Sequence, residues 1–195
     1  MYRLFIFILA VAVSLFQHAP AEAHLYGAYG AGFEGGFVHP FSGLDHMLAM
    51  VAVGLWAAQR GGKALWVVPG AFIFVMVLGG LSGFLGLKLP FVETGIAASL
   101  MVLGLLIAFA LPLHVAAMAA VVGLFAFFHG HAHGTELPEA ASPLAYAGGF
   151  VLATASLHAF GVGTGLLLKR PAGQIAVRLS GAAIALVGLF LVFSA

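Results

Sequence analysis

The chain has 195 residues, 63% hydrophobic and 7% charged, with a mean hydropathy of +1.16. A soluble domain carries about 25% charged residues, so this composition excludes a water-facing fold and reads as an integral membrane protein. The net charge of +1 excludes a strongly basic nucleic-acid binder, and the absence of cysteine excludes disulfides and thiolate metal sites.

The first stretch, MYRLFIFILAVAVSLFQHAPAEAH, has one early cation, Arg3, an apolar run from Leu4 to Phe16, and the small-x-small pattern Ala21-Glu22-Ala23. It reads as a secretory signal peptide over residues 1–23. The apolar run is short for a spanning helix, which needs about 20 residues. Cleavage after Ala23 would leave a mature chain, 24–195, that starts at His24. There an α-amine and an imidazole together would offer a chelate. The alternative is an uncleaved first helix.

Six hydrophobic runs follow: 44–58, 64–87, 91–111, 115–128, 144–168 and 175–193. Lipid offers the backbone no water, so segments this apolar must be helices. A transmembrane barrel would show alternating strands of about 10 residues, and none is present. The expected fold is therefore an all-α membrane protein, one domain of six transmembrane helices after the signal peptide. Connections are short, so neighbouring helices are expected to pack antiparallel. Arg60 and Lys63 flank the first connection, and Lys169 and Arg170 the fifth, with Arg178 close by. These lie on one side, which the positive-inside rule places in the cytoplasm, with the mature N-terminus outside. Signal cleavage requires the same orientation. Glycines recur at four-residue spacing, as at Gly79 and Gly83 and at Gly161 and Gly165. Such faces let helix backbones approach, within one chain or between copies in a homo-oligomer.

The polar residues fall on the side opposite the cations. His39, Asp45 and His46 lie at the outer end of the first run and Glu93 at the outer start of the third. His129, His131, His133 and Glu136 lie at the outer end of the fourth, with His158 deeper in the fifth and His114 at the other end. Pro40 suits the first turn of a helix, and His39 and His46, seven apart, would then share a face. His129 and His133, four apart, share a face in a helix, with Glu136 completing the stripe. Gly130 and Gly134 make a broken helix end equally compatible with the sequence. Each ionisable group inside the membrane costs about 2.5–3.5 kcal/mol on insertion scales and marks a site by default. Imidazole with carboxylate suits nickel, cobalt and zinc. Asp45 has a second use, orienting a histidine instead of binding metal. His131, His133 and Glu93 also have a plain reading as solvated helix ends, and His158 as a core histidine bonded to a carbonyl.

On these residues the sequence resembles the HupE/UreJ family of nickel/cobalt permeases. HPFSGLDH, 39–46, has that family's first signature: His-Pro, two residues, Gly, one residue, Asp-His. FHGHAHGTE, 128–136, has its second: Phe-His-Gly-x-Ala, then His-Gly-x-Glu. The resemblance covers essentially the whole chain and implies uptake of Ni²⁺ or Co²⁺ across a bacterial cytoplasmic membrane. It carries a binding role to His39, Asp45, His46, His129 and Glu136. In the transport path so implied, periplasmic metal is captured by the outer histidines and partly dehydrated. It then passes His158 on its way inward. The ion is cargo, no resident cofactor is expected, and the partners are the ion and the lipid bilayer. No G-x-x-x-x-G-K-[ST] occurs, so ATP hydrolysis by this chain is not expected. Two other readings are open. One is a rhomboid-type intramembrane serine protease using Ser82, in GLSG, with His158. The other is a membrane metal sensor that binds without flux.

Overall fold

The computed structural model describes residues 32–137 and 142–194, and among these every element is a helix. In chain order they are α1 (Phe33–Ser42), α2 (Leu44–Arg60), α3 (Ala64–Phe84), α4 (Val92–Phe109), α5 (Val115–Thr135), α6 (Pro143–Leu167) and α7 (Pro171–Ser194). Helices α3 to α7 are each long and apolar enough to cross a membrane, and α1 with α2 passes the same test only as a pair bent by 87°, a broken span or a re-entrant loop, so the described residues hold five spans, or six if the pair is one. The protein is a multi-pass membrane protein of the expected class. The proposed signal peptide and His24 lie outside the described residues.

The molecule is sorted for lipid. Trp66, Phe91, Leu144, Leu167 and Phe193 point outward and are almost bare in the isolated chain. The interior holds Met50, Trp56, Phe72, Leu100 and Ile107 together with an unusual polar set: Ser82, Ser99, Thr154, His129, His131, His133 and His158. Apolar surface gains nothing by hiding from hydrocarbon, so close packing and polar contacts hold such helices together.

Glycines decide which helices meet. A methyl on Gly130 would fall on the Met76 carbonyl, one on Gly134 on the Gly80 carbonyl, and one on Gly83 on the His131 carbonyl. Helices α3 and α5 therefore lie backbone to backbone and run parallel. Gly54 and Gly161 seat α2 against α6 in the same way, also parallel, while Gly104, Gly181 and Gly188 seat α4 against α7 antiparallel. Consecutive helices thus alternate in direction as expected, but they are not the most closely packed pairs. The closest packing joins α3 to α5, α4 to α7 and α2 to α6, because the small-residue faces lie on those pairs.

Two expectations change. Pro40 stands in the last turn of α1, not the first turn of a spanning helix, and Gly43 separates α1 from α2 in extended backbone. His39 and His46 therefore lie on different helices and share no face. At the other motif, α5 does not stop at Phe128 but continues to Thr135. Gly130 and Gly134 do not break it, because their missing side chains are what α3 packs against. His131 and His133 are accordingly buried, not solvated.

Candidate metal centre

The bend at Gly43 turns α1 back over the end of the bundle, and this carries His39 to the end of α5. His39 Nε2 lies 3.6 Å from Glu136 Oε2, and His133 Nδ1 lies 3.9 Å from the same oxygen. One ligand atom from each of the three residues falls within 4.8 Å of the others, a spacing suited to a shared cation. Glu136 is exposed, His39 partly buried and His133 buried, so the trio grades from solvent into protein. His133 is the last-turn base of α5 and Glu136 its C-cap residue, where the helix dipole presents its negative end to a cation.

Behind this trio the imidazoles continue inward. The ring of His46 lies 4.3 Å from that of His133 and 4.9 Å from that of His129, both edge-on. Beyond His129 stands Phe72, 5.8 Å away, and Phe72 meets His158 edge-on at 5.0 Å. Phe150 packs 4.2 Å from His133, and Tyr146 lies 6.0 Å from His39. Four helices thus feed one line of side chains: His46 from α2, Phe72 from α3, His129 and His133 from α5, and His158 from α6.

Hydrogen bonds assign the protons along this line. Asp45 Oδ1 accepts from the His46 backbone N–H at 2.8 Å and lies 2.8 Å from His46 Nδ1. A carboxylate can only accept, so Nδ1 carries the hydrogen and Nε2 is left with its lone pair. The Met50 carbonyl makes the same demand of His158 Nδ1 at 2.8 Å. The remaining nitrogens, His46 Nε2 and His158 Nε2, are buried and have no hydrogen-bond partner. So are His129 Nδ1 and both ring nitrogens of His133. Leaving a buried polar atom unpaired costs about 1–3 kcal/mol. Several such atoms in one line are therefore costly for the fold alone, and a neutral imidazole's unpaired lone pair is chemically able to ligate a metal. Gly43 leaves room for the Asp45–His46 pair: a Cβ there would stand 2.9 Å from Asp45 Oδ1 and 3.1 Å from His46 Nδ1.

The other sequence candidates separate from this line. His131, two residues from His129 and His133, points to the far side of α5, where its Nδ1 lies 2.9 Å from Ser82 Oγ. It lines a cleft of about 480 Å³ with Lys88, Glu93 and Glu136. Glu93 is exposed and also borders, with Asp45, a smaller depression near the end of α7. Asp45 is occupied in orienting His46. The Ser82–His158 dyad does not form: Ser82 pairs with His131, and His158 with the Met50 carbonyl. Glycine packing of α3 on α5 places Ser82 there. Reading the sequence singled out neither Phe72, Phe150 nor Ser99, which touch the histidines. Ser99, a hydroxyl inside an apolar run, was the one visible signal.

The family model described as HupE / UreJ protein matches residues 10–191. The curated protein named Protein HupE, from Rhizobium leguminosarum bv. viciae, is 49% identical over 170 residues, covering 87% of this chain and 89% of its own length. No solved structure matches the chain.

Proposed function

The chain belongs to the HupE/UreJ family, and from that premise we propose that it is a secondary permease carrying a divalent transition-metal ion, Ni²⁺ or Co²⁺, across the membrane. The observation that carries this reading is the graded line of ligands. An exposed carboxylate and a half-buried histidine stand in front of His133, His46 and His129, each with at least one buried ring nitrogen that has no hydrogen-bond partner.

The chemistry follows from that gradient. An arriving hydrated ion exchanges water first for Glu136 and His39, which solvent reaches. His133 is shared between this trio and the next imidazole, His46, so the ion can change partners one ligand at a time. Asp45 holds His46 with Nε2 bare and supplies negative charge that lowers the cost of bringing a dication below the surface. The path then runs past Phe72 to His158. A shell of neutral imidazoles with few carboxylates is weak enough to release its ion, as conduction requires. The opposite end carries Arg60, Lys63, Lys169 and Arg170. In a bacterial cytoplasmic membrane the positive-inside rule would turn the histidine end outward and the described N-terminal helix with it.

The test is flux. Purified protein in proteoliposomes is offered Ni²⁺, Co²⁺ and Zn²⁺ separately, beside the His133→Ala variant. Saturable entry of Ni²⁺ or Co²⁺ is expected from the wild type, and at least a 100-fold lower rate from the variant, because His133 joins the two halves of the line. Binding without entry would make the same residues a sensor, and the permease reading would fall.

A further inference from the structure

Of the buried histidines in the line, His129 is the one whose proton is placed by a side chain from another helix. Ser99, on α4, is fully buried, and its Oγ lies 2.6 Å from the Ile96 carbonyl of its own helix. Two oxygens that close require a hydrogen between them. The Ile96 carbonyl has none, so the single serine hydrogen is committed there. Ser99 Oγ also lies 3.0 Å from His129 Nε2. With its hydrogen spent, the oxygen can only accept, and so Nε2 of His129 must be the protonated nitrogen. The lone pair then falls on Nδ1, which is buried and has no partner, in the ring whose edge-on neighbour is His46.

We propose that Ser99 is a positioning residue of the transport site: by accepting from His129 Nε2–H it fixes the tautomer that leaves His129 Nδ1 free to ligate the metal beside His46 Nε2. This role rests on the permease reading. Without Ser99, nothing on α4 holds the hydrogen at Nε2. The neutral ring would then be free to exchange its hydrogen between the two nitrogens, and the form with hydrogen on Nδ1 blocks the ligand position. The chemistry parallels that of Asp45 on His46 and the Met50 carbonyl on His158, with a neutral hydroxyl turned into an obligate acceptor by its own helix.

The experiment uses the full chain in lipid nanodiscs, labelled with ¹⁵N-histidine, with His129→Gln to assign the His129 signals. Long-range ¹H–¹⁵N correlation on the metal-free protein reads which nitrogen carries the hydrogen, and equilibrium dialysis reads Co²⁺ affinity. In the wild type Nε2–H is expected. In Ser99→Ala the hydrogen is no longer fixed at Nε2 and averages between the two nitrogens, and Co²⁺ affinity falls about 10- to 100-fold, the usual cost of losing a group that orients a ligand. Ser99→Thr, which keeps the hydroxyl and its bond to the helix carbonyl, restores both. Nδ1–H in the wild type overturns the proposal, as does an unchanged tautomer in Ser99→Ala. A shifted tautomer with unchanged Co²⁺ affinity overturns the metal half, since Nδ1 would then be no ligand. A wild type that takes up neither Ni²⁺ nor Co²⁺ and does not bind them, yet shows the expected tautomer, sinks the permease reading itself.

Discussion

The two ends of this bundle use polar side chains in opposite ways. At the end marked by Arg60, the long polar groups are spent on the backbone. Arg60 donates to the Leu113 carbonyl, Gln59 to Ile107, Arg178 to Ala108 and Gln174 to Leu168. The Ala108 and Leu168 carbonyls lie at helix C-termini, where the helix itself supplies no donor, and the Leu113 carbonyl lies in the connection before α5. At the histidine end the balance is reversed. His46 Nε2, His129 Nδ1 and both ring nitrogens of His133 are buried and bond nothing. The Arg60 end also leaves one buried acceptor without a bond, Gln59 Oε1, so the contrast lies in how many unpaired imidazole nitrogens gather in one line at the histidine end.

That contrast can be broken or sharpened by substitution. The largest effect is expected from Gly130→Val, where a side chain would be driven into the Met76 carbonyl. Overpacking costs about 1–3 kcal/mol, and more where only backbone could yield. The variant should lose its cooperative thermal transition in detergent, whereas Gly163→Ala, which opens on empty space, should melt within a few degrees of the wild type. Equal melting of the two would mean that α3 and α5 do not meet through glycine. An intermediate effect belongs to Asp45→Asn. The shape is kept, but the amide can offer His46 either an acceptor or a donor, and the charge is gone. Co²⁺ affinity measured by dialysis should fall about 10- to 100-fold with the fold intact. Unaltered affinity would show that His46 needs no orienting partner. Arg178→Gln should do least. It removes a bond to a helix-end carbonyl in an exposed place, so stability should change by no more than about 0.5–1 kcal/mol, and metal uptake should stay within about twofold. A loss of uptake comparable to that of His133→Ala would erase the distinction between the two ends.

The sequence carried the membrane class, the number of spans within the ambiguity of the bent first pair, and the gathering of the polar residues at one end. Those follow from local facts: hydrocarbon forces unbroken helices, and the length of each apolar run sets its span. Both histidine motifs were visible as strings of residues, and the structure puts His39, His133 and Glu136 from the two of them together. What the strings concealed was geometry. HPFSGLDH reads as one helical face, yet Gly43 splits it between two helices at 87°. FHGHAHGTE reads equally as a continuous helix or a broken helix end, and α3 holds it helical to Thr135 because the glycines are contact points. Neighbouring histidines then part company: His129 and His133 face the line and His131 faces Ser82, 49 positions away. The location of each proton was beyond any one-dimensional reading. A histidine's bare nitrogen is chosen by whichever acceptor stands at the other one, and for His129 that acceptor is Ser99, 30 residues earlier on a different helix. Composition and periodicity therefore determined what kind of molecule this is. Only helix packing decided which of its histidines keep a free lone pair, because that depends on atoms brought together from different helices.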